Sequence, residues 1–174
     1  MRGLGVILLS FLLLALESPF LQQATSAHYT PDLAMLIALY LGLTSRLEAG
    51  LGLALAVGLV KDGFALGSPV GMYMEIEALT FLVSYRVSRG LALRGPIALM
   101  LIAALFSVGG SLVELGLSLV FDRSFTQGAG GASVILGPMI PQGLATGPFA
   151  PVVFWLFDRL DGLTTRKTDS LYGP

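Results

Sequence analysis

Six apolar blocks run along this chain, at roughly 3–16, 31–45, 47–60, 71–88, 95–120 and 138–157, with short polar or glycine- and proline-bearing stretches between them. Only the fifth is a generous span against the roughly 20 residues a transmembrane helix needs. The second and third are separated only by Ser45-Arg46-Leu47-Glu48. They read either as a tight helical hairpin or as one long bent helix, and charge decides between the two. With six spans and the N-terminus inside, one face of the membrane carries Arg2, Arg46, Arg86, Arg89, Arg94, Arg159, Arg166 and Lys167, and the other only Lys61 and Arg123. That asymmetry is the positive-inside pattern. Merging blocks two and three would strand Arg2 on the wrong face and leave Arg46 at mid-membrane. The expected class is therefore all-α, a polytopic membrane protein of about six transmembrane helices with both termini cytoplasmic. Residues 1–160 would form one transmembrane domain and 161–174 a polar cytoplasmic tail.

Composition agrees with this expectation. The chain is 55% hydrophobic and 12% charged, where a soluble domain carries roughly 25% charged residues. Its formal charge of −1 and the lack of a basic stripe point away from nucleic acid. Without cysteine there are no disulfides and no thiol chemistry. The lone His28, in a polar loop, leaves no metal site or Ser-His-Asp set, so neither a cofactor nor an enzymatic activity is expected. Arg2, the apolar run Leu4–Leu16 and the small residues Ala24-Thr25-Ser26-Ala27 have the layout of a secretory signal. Five further apolar blocks make an uncleaved anchor helix the expected reading.

Within the blocks, polar positions fall into faces. Either Thr30 or Asp32 can cap the helix that Pro31 opens. Gly50, Ala54 and Gly58 share one face at spacing four, the small-residue pattern that lets backbones approach closely in lipid. Glu77, Thr80 and Ser84 share another, with Glu75 pointing elsewhere. In the fifth block Ser107, Ser111, Glu114 and Ser118 trace one polar stripe. An ionisable group inside a span costs on the order of 2.5–3.5 kcal/mol. Glu114 is thus expected either in an interhelical hydrogen bond or in a proton relay or ligand contact. The run Gln127–Ser133 lacks the Lys-Ser/Thr ending of a phosphate loop. Pro138, Pro141, Pro148 and Pro151 predict a broken sixth segment, with a regular helix starting near Pro148 or Pro151 and an interfacial or re-entrant piece before it. Lys61 and Asp62 read as a local ion pair in an external loop, and Gly67, Pro69 and Gly71 as a sharp reversal.

The order of these features resembles the rod shape-determining MreD family. Pro31-Asp32-Leu33 opens an apolar helix, Tyr40-Leu41 and Gly50-Leu51-Gly52-Leu53 follow, and Gly58-Leu59, Asp62 and Leu66-Gly67-Ser68-Pro69-Val70-Gly71 resemble that family's central G-L-x-x-D … G-S-P-L-G signature. The resemblance covers residues 31–94 and includes the aromatic-then-basic exit Tyr85-Arg86. Lys61 stands where the family has an apolar residue, and Val70 where it has Leu. The resemblance implies a non-enzymatic component of the bacterial inner membrane, part of the rod complex or elongasome. It would bind MreC directly, with MreB, RodA and the elongation penicillin-binding protein as fellow members, and help direct side-wall peptidoglycan synthesis among the membrane lipids. It also implies a fold similar to the substrate-binding subunits of energy-coupling-factor transporters. That likeness supplies the alternative, a vitamin-binding transporter subunit with Glu77, Thr80, Ser107 and Glu114 lining a pocket.

Overall fold

A computed structural model describes residues 2–17, 30–64, 71–89, 95–120 and 132–169. Six helices, and no strands among the described residues, make up the structure: α1 Arg2–Leu16, α2 Leu33–Thr44, α3 Leu47–Phe64, α4 Met72–Ser88, α5 Pro96–Val120 and α6 Ala132–Asp169. Two stretches, Pro96–Leu117 and Leu136–Gly162, are long and apolar enough to cross a membrane; Gly3–Ala15 and Leu33–Thr44 are apolar but shorter. The loop residues His28, Gly67, Ser68 and Pro69, and residues 127–131, lie outside the described residues.

α2 is the axis of the bundle. Every residue from Leu33 to Gly42 is buried, and α2 touches each of the other five helices. The sequence Leu-Ala-Met-Leu-Ile-Ala-Leu-Tyr-Leu-Gly is apolar on all sides, which suits only a helix surrounded by protein or lipid. At 12 residues and a rise of 1.5 Å per residue, α2 is about 18 Å long, well short of a bilayer core of roughly 30 Å. Its N-terminal end is inside the molecule and needs polar partners there, while Thr44 at the other end is exposed. One turn before the C-terminal end, Tyr40 ties α2 to α6. Its ring packs against Phe154 and Phe157 at 5.1 and 5.3 Å. Its hydroxyl lies 2.9 Å from Asp158 Oδ1 and 3.1 Å from Asp161 Oδ2 on α6.

The other helices are brought close by glycine. A Cβ at Gly58 would stand 2.5 Å from Met74 Cα and 2.7 Å from the Tyr73 carbonyl, so α3 and the first turn of α4 meet backbone to backbone. Gly50 receives the ring of Phe81, and Gly42 of α2 sits against the Phe81 carbonyl and Ser84. With Ala54 fully buried between Gly50 and Gly58, the small face expected on α3 is the seam it shares with α4.

Two expectations are overturned. α6 is one continuous helix from Ala132 through all four prolines to Asp169, not a helix beginning near Pro148 or Pro151 after an irregular piece. The reason is its neighbour: Gly143 and Gly147, one turn apart, bring α6 within reach of the Ala104 and Met100 carbonyls of α5, at 3.2 and 3.1 Å from the Cβ positions. Proline is tolerated in a helix held this closely by another. The helix also takes in residues 161–169 of the expected polar tail; residues 170–174 lie outside the described residues. Second, α3 runs on to Phe64, so Lys61 and Asp62 belong to a helix and not to a loop.

Replacing Gly58 by Ala is expected to cost about 1–3 kcal/mol, since the added methyl meets backbone that has no room to yield. Gly52→Ala, whose Cβ meets nothing within 4 Å, is expected to be neutral or stabilising by up to about 1 kcal/mol. Thermal unfolding of the two variants in detergent checks this ordering.

Candidate functional site

The N-terminal end of α2 is where charge collects. Asp32 is the N-cap, its Oδ1 accepting from Met35 N at 3.0 Å. Of the two caps left open by the sequence, Asp32 is the one used. Glu17, one residue beyond α1, accepts from Leu33 N at 3.3 Å, so two carboxylates satisfy free amides of the first turn, where the helix dipole also favours negative charge. The Asp32 amide donates to Thr146 Oγ1 of α6 at 3.0 Å. Thr146 donates to the Gln142 carbonyl at 2.7 Å and lies 3.5 Å from Ser107 Oγ of α5.

Into this cluster α3 sends Lys61. Its ammonium lies 2.7 Å from both Asp32 oxygens and 3.3 Å from Glu77 Oε1 of α4, and 4.6 Å over the centre of the Tyr73 ring. The side chains of Lys61, Asp32 and Glu77 are 15%, 17% and 0% exposed, so water screens these contacts little. Glu77 Oε2 is buried without a hydrogen-bond partner. Glu114 of α5 lies within electrostatic reach of Lys61, Asp32 and Tyr73. Residues from all six helices, counting Glu17 with α1, thus meet at one polar junction. Among the described residues no group of three or more His, Cys, Asp or Glu is arranged to hold a metal ion.

Lys61 therefore does not pair with Asp62, contrary to the expectation from sequence. Adjacent residues on a helix do not face each other, so while Lys61 turns inward to α2, Asp62 turns toward α4. There it accepts from the amides of Gly71, Tyr73 and Met74 at 2.9, 3.0 and 3.4 Å. Gly71, the N-cap of α4, has φ of 101° and no side chain to offer; Asp62 supplies the missing carboxylate from the preceding helix. A left-handed φ here is one that glycine adopts without penalty.

The other residues singled out in the sequence divide between structural joints and the surface. Pro31 is buried just ahead of α2. Thr80, Ser84, Ser107 and Ser111 are buried, as their face assignments require, and Ser84 and Ser111 donate to the carbonyls of Phe81 and Ser107. Glu75 and Arg86 are exposed. Ser118 lies in α5 with its side chain outside the described residues. Glu17, Lys61, Tyr73 and Thr146 were not recognised as one site, although an isolated lysine near the end of an apolar helix was a usable signal. No family model, curated protein or solved structure matches the chain.

Removing the Asp62 carboxylate should free the first turn of α4. Asp62→Ala is expected to lose about 1.5–3 kcal/mol, the range for hydrogen bonds to a charged group. Asp62→Asn, which keeps one acceptor oxygen, should lose less, and Glu75→Ala less than about 0.5 kcal/mol. Hydrogen exchange at the Tyr73 and Met74 amides should speed up in the same order.

Proposed function

We propose that this chain is a six-span scaffold of the bacterial inner membrane, of the MreD type, both termini cytoplasmic. It would hold partner transmembrane helices, MreC first among them, within the complex that directs side-wall peptidoglycan synthesis. The observation that carries the reading is the joint between α3 and α4. Gly58, Asp62 and Gly71, three described residues of the G-L-x-x-D … G stretch, act there: Gly58 by close approach, Asp62 by capping and Gly71 by its backbone angle. A stretch that sets the geometry of two helices is what a scaffold needs, and no substrate chemistry has to be invoked for it. Four buried polar side chains, Asp62, Glu77, Ser107 and Thr146, support the same reading, since each joins one helix to another.

One observation favours the transporter-subunit reading: the unpartnered Glu77 Oε2 at a junction with Glu114 and Lys61 close by. It stands second because Thr80 lies apart from Glu77, Ser107 and Glu114, which gather at the polar junction already filled by Lys61, Asp32 and Thr146. Glu77 meets Lys61, Ser107 meets Thr146, and Thr80 lines a groove on the flank of the bundle that takes in none of the other three. Vitamin binding at submicromolar affinity, lost in Glu114→Ala, would put it first.

Depletion of the chain from a rod-shaped bacterium that carries it is expected to give round cells, and an affinity-tagged copy is expected to retain MreC. Cells of normal shape, together with no recovery of MreC, would contradict the scaffold reading.

A further inference from the structure

α4 and α5 are joined less closely than α3 with α4 or α5 with α6. Between them runs a groove of about 280 Å³, lined by Thr80 and Val83 of α4 and by Leu105, Phe106, Gly109 and Gly110 of α5, among others. It opens sideways: Val83 and Leu105 on its rim are 51% and 69% exposed. α5 as a whole is the less covered of the two long apolar helices, with 17% of its span buried.

Two independent observations indicate what the groove accepts. At Gly42, Gly50, Gly58, Gly143 and Gly147 a glycine admits a neighbouring helix, while others, such as Gly52 and Gly63, lie on exposed faces. At Gly109 a Cβ would meet nothing within 4 Å, and at Gly110 only Ile76 Cγ2 at 4.0 Å. The second observation is Thr80. In the described helices Ser10, Thr44, Ser84, Ser88, Ser111 and Thr146 all return their hydroxyl to a carbonyl of their own helix. Thr80, only 6% exposed and facing the groove, makes no such bond. It lies halfway along α4, eight residues from Met72 and eight from Ser88.

The occupant must bring a hydrogen-bonding group to that hydroxyl, and an acyl chain has none. The volume is about twice that of the roughly 150 Å³ cavity that admits a benzene, room for a ridge of side chains and not for a whole helix. We infer that the α4–α5 groove seats a partner's transmembrane helix, which lays a small residue over Gly109 and Gly110 and a hydroxyl, amide or bare carbonyl against Thr80. Small residues let the backbones approach, and the polar pair fixes register. The inference rests on the scaffold reading, from which it takes MreC as its probe.

The chain has no cysteine, so disulfide trapping has no background. Gly109→Cys, oxidised in membranes with a cysteine-free MreC carrying single cysteines along its transmembrane helix, is expected to cross-link at positions three and four apart. Gly52→Cys on the outward face of α3 should give less than a tenth of that yield. Thr80→Val should lower the Gly109→Cys yield at least fivefold while leaving the melting temperature of the purified chain unchanged. Equal cross-linking from positions 52 and 109, or MreC recovery unaltered in Thr80→Val and Gly109→Leu, would overturn the assignment and leave the groove to lipid. Failure of the unmodified chain to recover MreC would instead overturn the scaffold reading, and with it the choice of partner.

Discussion

A lysine ammonium held between two buried carboxylates joins the three central helices of this protein. Lys61 of α3 reaches Asp32 at the start of α2 and Glu77 in α4, and the position of α2 follows from that contact. A 12-residue helix buried on every side cannot place both ends in water. Its first turn exposes free amides inside the molecule, and these are satisfied by Asp32 and Glu17. Asp32 brings negative charge into a poorly hydrated place, and Lys61 offsets it. Without the lysine the cap would be a buried, uncompensated charge, the most costly arrangement in such an interior.

The same junction relates the two halves of the bundle. α1 to α4 meet through Glu17, Asp32, Lys61 and Glu77, whereas the α5–α6 pair enters through Thr146, which takes the Asp32 amide, and through Ser107 beside it. Near the far end of α2, Tyr40 holds α6 by its ring and hydroxyl. α2 is thus fixed to α6 near both ends, and the glycine seams of α3–α4 and α5–α6 set the spacing of the outer helices. Specificity here comes from few polar contacts in an apolar field, where any alternative register would strand a charge.

Much of this was legible in the sequence, and what was not has physical causes. Five of the six helices begin and end within a few residues of the apolar blocks, because a run such as 33–44 closes where Thr44, Ser45 and Arg46 begin. The faces Gly50–Ala54–Gly58 and Glu77–Thr80–Ser84 were readable because they depend only on helical spacing. Partners were not: Lys61 and Asp32 are 29 residues apart, and only the packing of α3 on α2 brings them together. α6 was misread because its prolines act locally against a helix, while Gly143 and Gly147 act through α5, which no local pattern reveals. Lys61 and Asp62 were misread as a pair because a loop was assumed where α3 continues, and on a helix their side chains diverge.

Lys61 compensates the charge of Asp32 and Glu77. Unfolding of the purified protein, followed for Lys61→Met and for the triple change Lys61→Met, Asp32→Asn and Glu77→Gln, tests this compensation. Asparagine keeps the capping oxygen and glutamine keeps the shape, so the triple variant removes charge and little else. The single variant is expected to lose about 3–5 kcal/mol, the cost of breaking a buried pair from one side, and the triple variant to recover most of that loss. A single variant as stable as the parent, or a triple variant no better than the single, would contradict it.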